Sequence, residues 1–328
     1  MAAALFGRKN MRKILLTTTA LVALGGVSAA SADISISGSA SYNYTTGTGG
    51  SFTNDDSGMH TQVDFGIAAA TTFDNGLTAT AGIDFDESST QGNAPDGDDA
   101  GWTLSGDWGK IAFGGYAEAA FGAMAIDVTA DEGDGFTHVA GNALDYGNIM
   151  PGDEHIDHAD ISLTLPTVNG VTVMLGAADA NDASMAGISY AMSAGDVGVT
   201  VAYAQSSSSA ANSDDSQIAA KVSAGNATVT VISGASGLFN NSGVGATYAV
   251  SDALTIQAYS GTTDHDTDTD YEVKDTGIGL TYTVTPGMSI SITSNDYSGK
   301  GGTDNGVATA AGAEVSGTRN NIALDVSF

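Results

Sequence analysis

The run Gln62-Val63-Asp64-Phe65-Gly66-Ile67-Ala68-Ala69-Ala70-Thr71-Thr72-Phe73 decides the fold. Val63, Phe65, Ile67, Ala69, Thr71 and Phe73 share one parity, and Gln62, Asp64, Gly66, Ala68 and Ala70 share the other. Successive side chains of a strand point to opposite faces, so this is a strand with one apolar and one polar face. Asp74-Asn75-Gly76 follows. Asn-Gly tolerates the positive φ that a tight hairpin needs. Leu77, Ala79, Ala81, Ile83 and Phe85 then alternate with Thr78, Thr80, Gly82, Asp84 and Asp86. The unit is an amphipathic antiparallel hairpin.

The same pattern extends outward from this unit. Trp102, Leu104 and Trp108 alternate with Thr103, Ser105 and Asp107, with Gly109-Lys110 read as the next turn. Ile161, Leu163 and Leu165 precede an Asn169-Gly170 turn, and Val171, Val173 and Leu175 follow it. Further strands are predicted near 184–193, 197–206, 216–224, 227–236, 242–250, 253–263, 273–285 and 287–298, and the last from Asn320 to Phe328. After the N-terminal region no apolar run approaches the ~18 residues of a spanning helix.

Alternation also fits a soluble sandwich. Three features favour a membrane barrel. The apolar parity pairs with Gly, Ser, Thr and Asp rather than with a second apolar face. Aromatic residues gather near strand ends (Tyr42, Tyr44, Phe73, Phe85, Trp102, Trp108, Tyr203, Tyr248, Tyr259), as interfacial girdles require. Charges within strands fall on the polar parity: Asp64, Asp84, Asp86, Asp107, Asp325, Lys221 and Arg319 read as lumen-facing, and Lys274 is placed at a strand end. The expected fold is all-β, a transmembrane antiparallel barrel. A membrane strand takes ~9–11 residues, so sixteen strands fit, with eighteen or fourteen as alternatives.

The N-terminus is an address. Met11-Arg12-Lys13, an apolar run from Ile14 to Val27 and the small-residue site Ala30-Ser31-Ala32 make a signal peptide over 1–32. The true start is expected at Met11, and cleavage after Ala32 leaves a barrel domain of 33–328. Four of the nine basic residues (Arg8, Lys9, Arg12, Lys13) lie in the leader, and all 38 acidic residues follow it. Such an acidic chain repels nucleic acid and attracts cations. With no Cys there are no disulfides or thiolate sites.

Enzyme signals are missing. No Gly-x-Ser-x-Gly elbow and no phosphate loop occur. Glu154-His155-Ile156-Asp157-His158 departs from His-Glu-x-x-His and reads as a loop with incidental histidines. Asp264-His265-Asp266-Thr267-Asp268-Thr269-Asp270 lacks the Gly and Glu of a calcium-binding EF-hand loop and reads as an exposed outer loop.

The last strand carries Ile322, Leu324, Val326 and Phe328 on one parity, and its terminal Phe resembles the assembly signal of bacterial outer-membrane proteins. The leader Met-Arg-Lys-Ile-Leu-Leu at 11–16, the strand Ile34-Ser35-Ile36-Ser37-Gly38 and the block Leu104-Ser105-Gly106-Asp107-Trp108-Gly109-Lys110-Ile111 resemble the alphaproteobacterial general porins. The resemblance implies a homotrimer of sixteen-stranded barrels in the Gram-negative outer membrane, inserted by the barrel assembly machinery into outer-membrane lipid and passing small hydrophilic solutes. It also implies a third loop, here about 116–158, folded into the lumen. Constriction candidates are Glu118, Asp127, Asp131, Glu132, Asp134 and Asp145, with Ca²⁺ possible at this acidic loop, as the family implies in some members. The family's opposing basic cluster cannot be built from Lys110, Lys221, Lys274, Lys300 and Arg319, so an acidic, cation-preferring eyelet is expected. The competing readings are a non-conducting structural barrel or adhesin, and a secreted soluble calcium-binding β protein.

Overall fold

The computed structural model describes residues 33–49, 58–88, 100–117, 159–178, 182–209, 214–236, 239–265, 272–300, 303–304, 307–308 and 314–328. The strands are β1 (Asp33–Gly49), β2 (Gly58–Thr72), β3 (Thr78–Ser88), β4 (Gly101–Gly106), β5 (Gly109–Gly114), β6 (Ile161–Thr164), β7 (Val171–Ala178), β8 (Ala183–Ala194) and β9 (Val197–Ser207). They continue as β10 (Asp215–Ala224), β11 (Ala227–Ser236), β12 (Phe239–Ser251), β13 (Leu254–His265), β14 (Glu272–Thr285), β15 (Met288–Lys300), β16 (Thr303–Asp304), β17 (Val307–Ala308) and β18 (Glu314–Ser327). All but β16 and β17 form one closed barrel of sixteen strands, each pairing with its neighbours in the chain and β18 returning to β1. The two short strands pair with each other in the connection before β18. Closure leaves no edge of unpaired backbone in the hydrocarbon.

Turns 73–77, 107–108, 165–170, 195–196, 225–226, 252–253 and 286–287 all lie at one end. Asn169 (φ 51°) and Gly170 (φ 84°) occupy consecutive left-handed positions, as Asn-Gly hairpin chemistry predicts. One turn differs from expectation. It falls at Asp107-Trp108, and Gly109-Lys110 instead opens β5. Gly109 takes φ 120°, and a Cβ there would strike the Thr164 carbonyl oxygen on β6, so close strand approach rather than turn formation demands this glycine.

The wall is inside-out relative to a soluble protein. Ile36, Val63, Ile218, Val231, Ile278 and Ile322 are exposed on the outer face. Asn43, Thr45, Gln217, Thr230, Thr293 and Asn321 are buried on the inner one. Tyr42, Tyr44, Trp102, Tyr203 and Tyr248 face outward, and Phe73 and Trp108 are exposed at the turn end. Tyr259 departs from the expected girdle: it shares the parity of Gln257 and Thr263 and is buried on the inner face. Lys274 points outward and pairs with Glu272. It sits where β14 changes from Val284, Tyr282, Leu280 and Ile278 to Thr276, Lys274 and Glu272, beyond the apolar band.

The seam between first and last strands rests on Gly38. Its amide and carbonyl exchange hydrogen bonds with Phe328, each 2.9 Å. A Cβ on Gly38 would lie 2.8 Å from the Phe328 ring and 2.9 Å from the Asp64 carbonyl oxygen. The terminal ring therefore covers a position that only glycine leaves open. Gly38→Val should destabilise the barrel by ~1–3 kcal/mol through overpacking. The readout is a lower temperature for the folded-to-unfolded band shift on a detergent gel; an unchanged transition would contradict the seam as described.

Candidate functional site: the barrel lumen

The connection between β5 and β6 begins inside the barrel. Gly114 adopts φ 61° and turns the chain away from its strand. Tyr116 then lies against Gly82 and Gly101, which pair directly across β3 and β4. A Cβ at Gly82 would collide with the Tyr116 hydroxyl, and one at Gly101 with the Tyr116 backbone nitrogen. Gly82 shares its face with Ala68, Gly66 and Asp64, the inner one. Ala117 and Ala159 are buried in a small apolar cluster with Ala112 and Met185, against which Tyr116 packs. The two ends of the connection are tied together. Ala159 N donates to Ala117 O at 3.1 Å, Gly114 N to Asp160 O at 3.1 Å, and Asp160 N to Ala177 O at 2.9 Å. Both ends of segment 118–158 therefore leave from the inner wall.

Access to water changes along the lumen. Near the short-turn end, inward side chains such as Lys221 and Thr283 are exposed, and Asp64, Lys110 and Asp325 are half-buried. Farther in, inward positions are buried around the barrel: Ala112, Met174, Ala202, Ala219, Thr230, Gln257, Thr293, Asn321 and Asn43. Solvent therefore reaches the inward side chains near the turn end more than those farther in.

Polar groups line the first part of the passage. Ser39 donates to one Asp64 carboxylate oxygen at 2.8 Å, and Gln62 donates to the other at 3.1 Å. Asp325 stands opposite Ser41 on the other flank of β1. Deeper, the Thr45 hydroxyl donates to Asn321 at 3.0 Å, and the Asn321 amide donates to Asn43. Among the described residues, the hydroxyls of Thr263 and Thr293 and the Gln257 amide nitrogen have no hydrogen-bond partner. Buried groups of this kind favour a polar passenger or water over an apolar one.

Of the predicted lumen residues, Asp64, Lys221 and Arg319 lie on the inner face. Asp84 occupies the β3 position opposite Gly66. Asp107 is in the turn after β4, at the mouth rather than on the wall, because the hairpin reverses one step earlier than its alternation implies. Phe328 closes the seam. Glu118, Asp127, Asp131, Glu132, Asp134 and Asp145 fall outside the described residues, as do His155 and His158. Among the described residues, no group of three or more His, Asp or Glu side chains could hold a metal ion. Lys110, Lys221 and Arg319 stand on β5, β10 and β18, well apart in the strand order, and form no basic cluster. Tyr116 as an anchor and Asp275 on the inner wall were not singled out from sequence. Asp275 shares the parity of Gly277 and Gly279, a signal that was available. Tyr116 had none, since its partners are glycines distant in sequence.

An apolar exterior, a polar interior and a long connection rooted inside a closed sixteen-stranded wall define a channel-forming barrel of the outer membrane. The model of the Gram-negative porin family matches residues 17–302, and the chain belongs to that family. It is thus an outer-membrane porin. Its fold is similar to that of the anion-selective porin from Comamonas acidovorans (14% identity, TM-score 0.65, covering 90% of this chain and 100% of that one). It is also similar to the trimer form of OmpT from Vibrio cholerae (13% identity, TM-score 0.66, 90% and 99%). A mutant Rh. blastica porin has 16% identity and TM-score 0.64, with 90% and 100% covered. No curated protein sequence matches the chain.

Tyr116→Ala should loosen the root of the connection without touching the outer wall. Single-channel records should then show a larger or noisier open level. Conductance and noise identical to the wild type would contradict the anchoring role.

Proposed function

We propose that this porin favours cations, with the segment 118–158 narrowing the lumen and presenting Glu118, Asp127, Asp131, Glu132, Asp134 and Asp145 to the passing solute. The observation that carries this reading is the inward root of that segment at Tyr116, Ala117 and Ala159. The separation of Lys110, Lys221 and Arg319 supports it, because three scattered cations set up no positive wall against the carboxylates. Carboxylates in a narrow, low-dielectric passage raise the local cation concentration and exclude anions. Selectivity is not a property of the fold, since a barrel of similar fold is described as anion-selective. It follows from the charges each chain places inside.

The same oxygen-rich segment is where Ca²⁺ would bind, in competition with monovalent cations. The test is the reversal potential of the purified protein in a planar bilayer under a KCl gradient. Cation preference is expected, and the triple variant Glu118→Gln, Asp131→Asn, Asp134→Asn should bring the potential nearer zero. Anion preference in the wild type, or an unchanged potential in the variant, would overturn the assignment.

The protein functions as a homotrimer in this proposal. Strands β4, β5 and β6 have 6, 6 and 4 residues. At ~3.3 Å per residue the shortest covers ~13 Å, about half of the ~25 Å apolar band of an outer-membrane barrel. Lipid cannot seal so low a wall, but a second protomer can. Its outer face is apolar, with Trp102 stacked on Phe113 at 4.1 Å between ring centroids. Ile111→Cys should cross-link between protomers in native membranes; a purely monomeric product would contradict this interface.

A further inference from the structure

Asp275 is a carboxylate buried in the inner wall on β14, 2% exposed, on the same face as Gly277 and Gly279. Gly277 pairs with Tyr259 on β13 and with Asn295 on β15. Asp275 itself stands opposite Gly261 of β13. Diagonal neighbours on one face of a sheet lie ~7–8 Å apart at the backbone, within reach of long side chains. Tyr259, Asp275 and Asn295 therefore converge over Gly277, which puts no side chain between them, and the Tyr259 hydroxyl interacts with both of the others. Asn295 is 1% exposed. Both atoms of its amide, like both Asp275 carboxylate oxygens, have no hydrogen-bond partner among the described residues. Thr263, the next inward residue of β13 beyond Gly261, adds a buried hydroxyl in the same condition.

A carboxylate taken out of water is costly unless a positive charge or a proton neutralises it. The groups acting most strongly on Asp275 are the Tyr259 side chain, the Thr276 backbone and Asp296. Two are neutral, and the third is another negative charge. Arg319 faces Asn295 from β18, two strands from Asp275, and already has a partner. We propose that Asp275 and Asn295 hold one dehydrated monovalent cation, K⁺ or Na⁺, against the inner wall. The two Asp275 oxygens, the Asn295 carbonyl oxygen and the hydroxyls of Tyr259 and Thr263 offer it a set of hard oxygen ligands, and carboxyl and carbonyl oxygens of this kind replace a lost hydration shell. A single carboxylate matches a single charge, whereas a Ca²⁺ site collects more ligand charge. The bound cation ties β13, β14 and β15 together beyond the apolar band, where Lys274 and Thr276 on either side of Asp275 face outward. The site belongs to the wall and does not depend on the segment 118–158.

The experiment is thermal unfolding of the purified protein in mild detergent, in KCl and in choline chloride at equal concentration. Both salts screen alike, but choline is too large for the site. K⁺ should raise the unfolding temperature by ~2–4 °C over choline. Asp275→Asn and Asn295→Leu should each abolish that difference, and the triple variant Glu118→Gln, Asp131→Asn, Asp134→Asn should keep it. Equal unfolding temperatures of the wild type in the two salts, or a K⁺ gain retained by Asp275→Asn, would overturn the proposal. Stabilisation of the wild type by lower pH with no difference between K⁺ and choline would assign the neutralising charge to a proton and overturn it too. Loss of the K⁺ gain in the triple variant would move the cation to the segment 118–158, overturning the wall site while the cation preference stands. An anion-preferring reversal potential would remove that preference and leave the wall site to its own test. Diffraction from wild-type crystals soaked in a thallium(I) salt decides the matter even if Asp275→Asn fails to fold. An anomalous peak in contact with Asp275 and Asn295 is expected, and no peak there would contradict the site.

Discussion

Hydrocarbon offers a backbone amide no hydrogen-bond partner, and that constraint governs this molecule. Each unpaired backbone group there costs several kcal/mol, so a β protein can cross only as a closed ring of strands. Pairing of β18 with β1 is therefore the condition for every other ladder. The chain commits its last residue to that pairing: Phe328 bonds to Gly38 through both backbone groups and lays its ring over the glycine. Once the ring is closed, period-two alternation has only one consistent outcome. One parity meets lipid and the other meets the lumen.

Function follows from what the lumen parity carries and from how one connection is rooted. Asn, Gln, Thr and Ser line the passage, Asp64 stands opposite Asp86 on the neighbouring strand, and Lys110, Lys221 and Arg319 stand on separate strands. Gly114 and the glycine pair beneath Tyr116 let the chain leave β5 inward instead of outward. The wall height varies for a related reason. Strands β12 to β15 and β18 rise past the apolar band with polar outer faces, whereas β4 to β6 fall short of it, so the surroundings of the barrel cannot be the same on all sides.

Much of this is legible in the sequence because a membrane barrel repeats one local rule. The strands from Val197 to Thr285 fall within a few residues of their alternating runs, since two solvents enforce the period at every position. Where a second constraint intrudes, alternation misleads. Gly109 looked like a turn residue, yet close approach of β6 explains it. Tyr259 looked like a girdle aromatic, yet its parity places it inside. Asp107 continued a polar run, yet the hairpin had already begun to reverse. Contacts such as Tyr116 on Gly82 join positions far apart in the chain and leave no local trace.

The two parities of one strand face two different solvents. The chain has no cysteine, so single substitutions report cleanly. A membrane-impermeant thiol reagent applied to the protein in lipid vesicles should label Gln62→Cys, Asp64→Cys and Lys221→Cys. It should spare Val63→Cys, Phe65→Cys and Ala220→Cys. Equal labelling of neighbouring positions, or the reverse pattern, would contradict a water-filled barrel with this register.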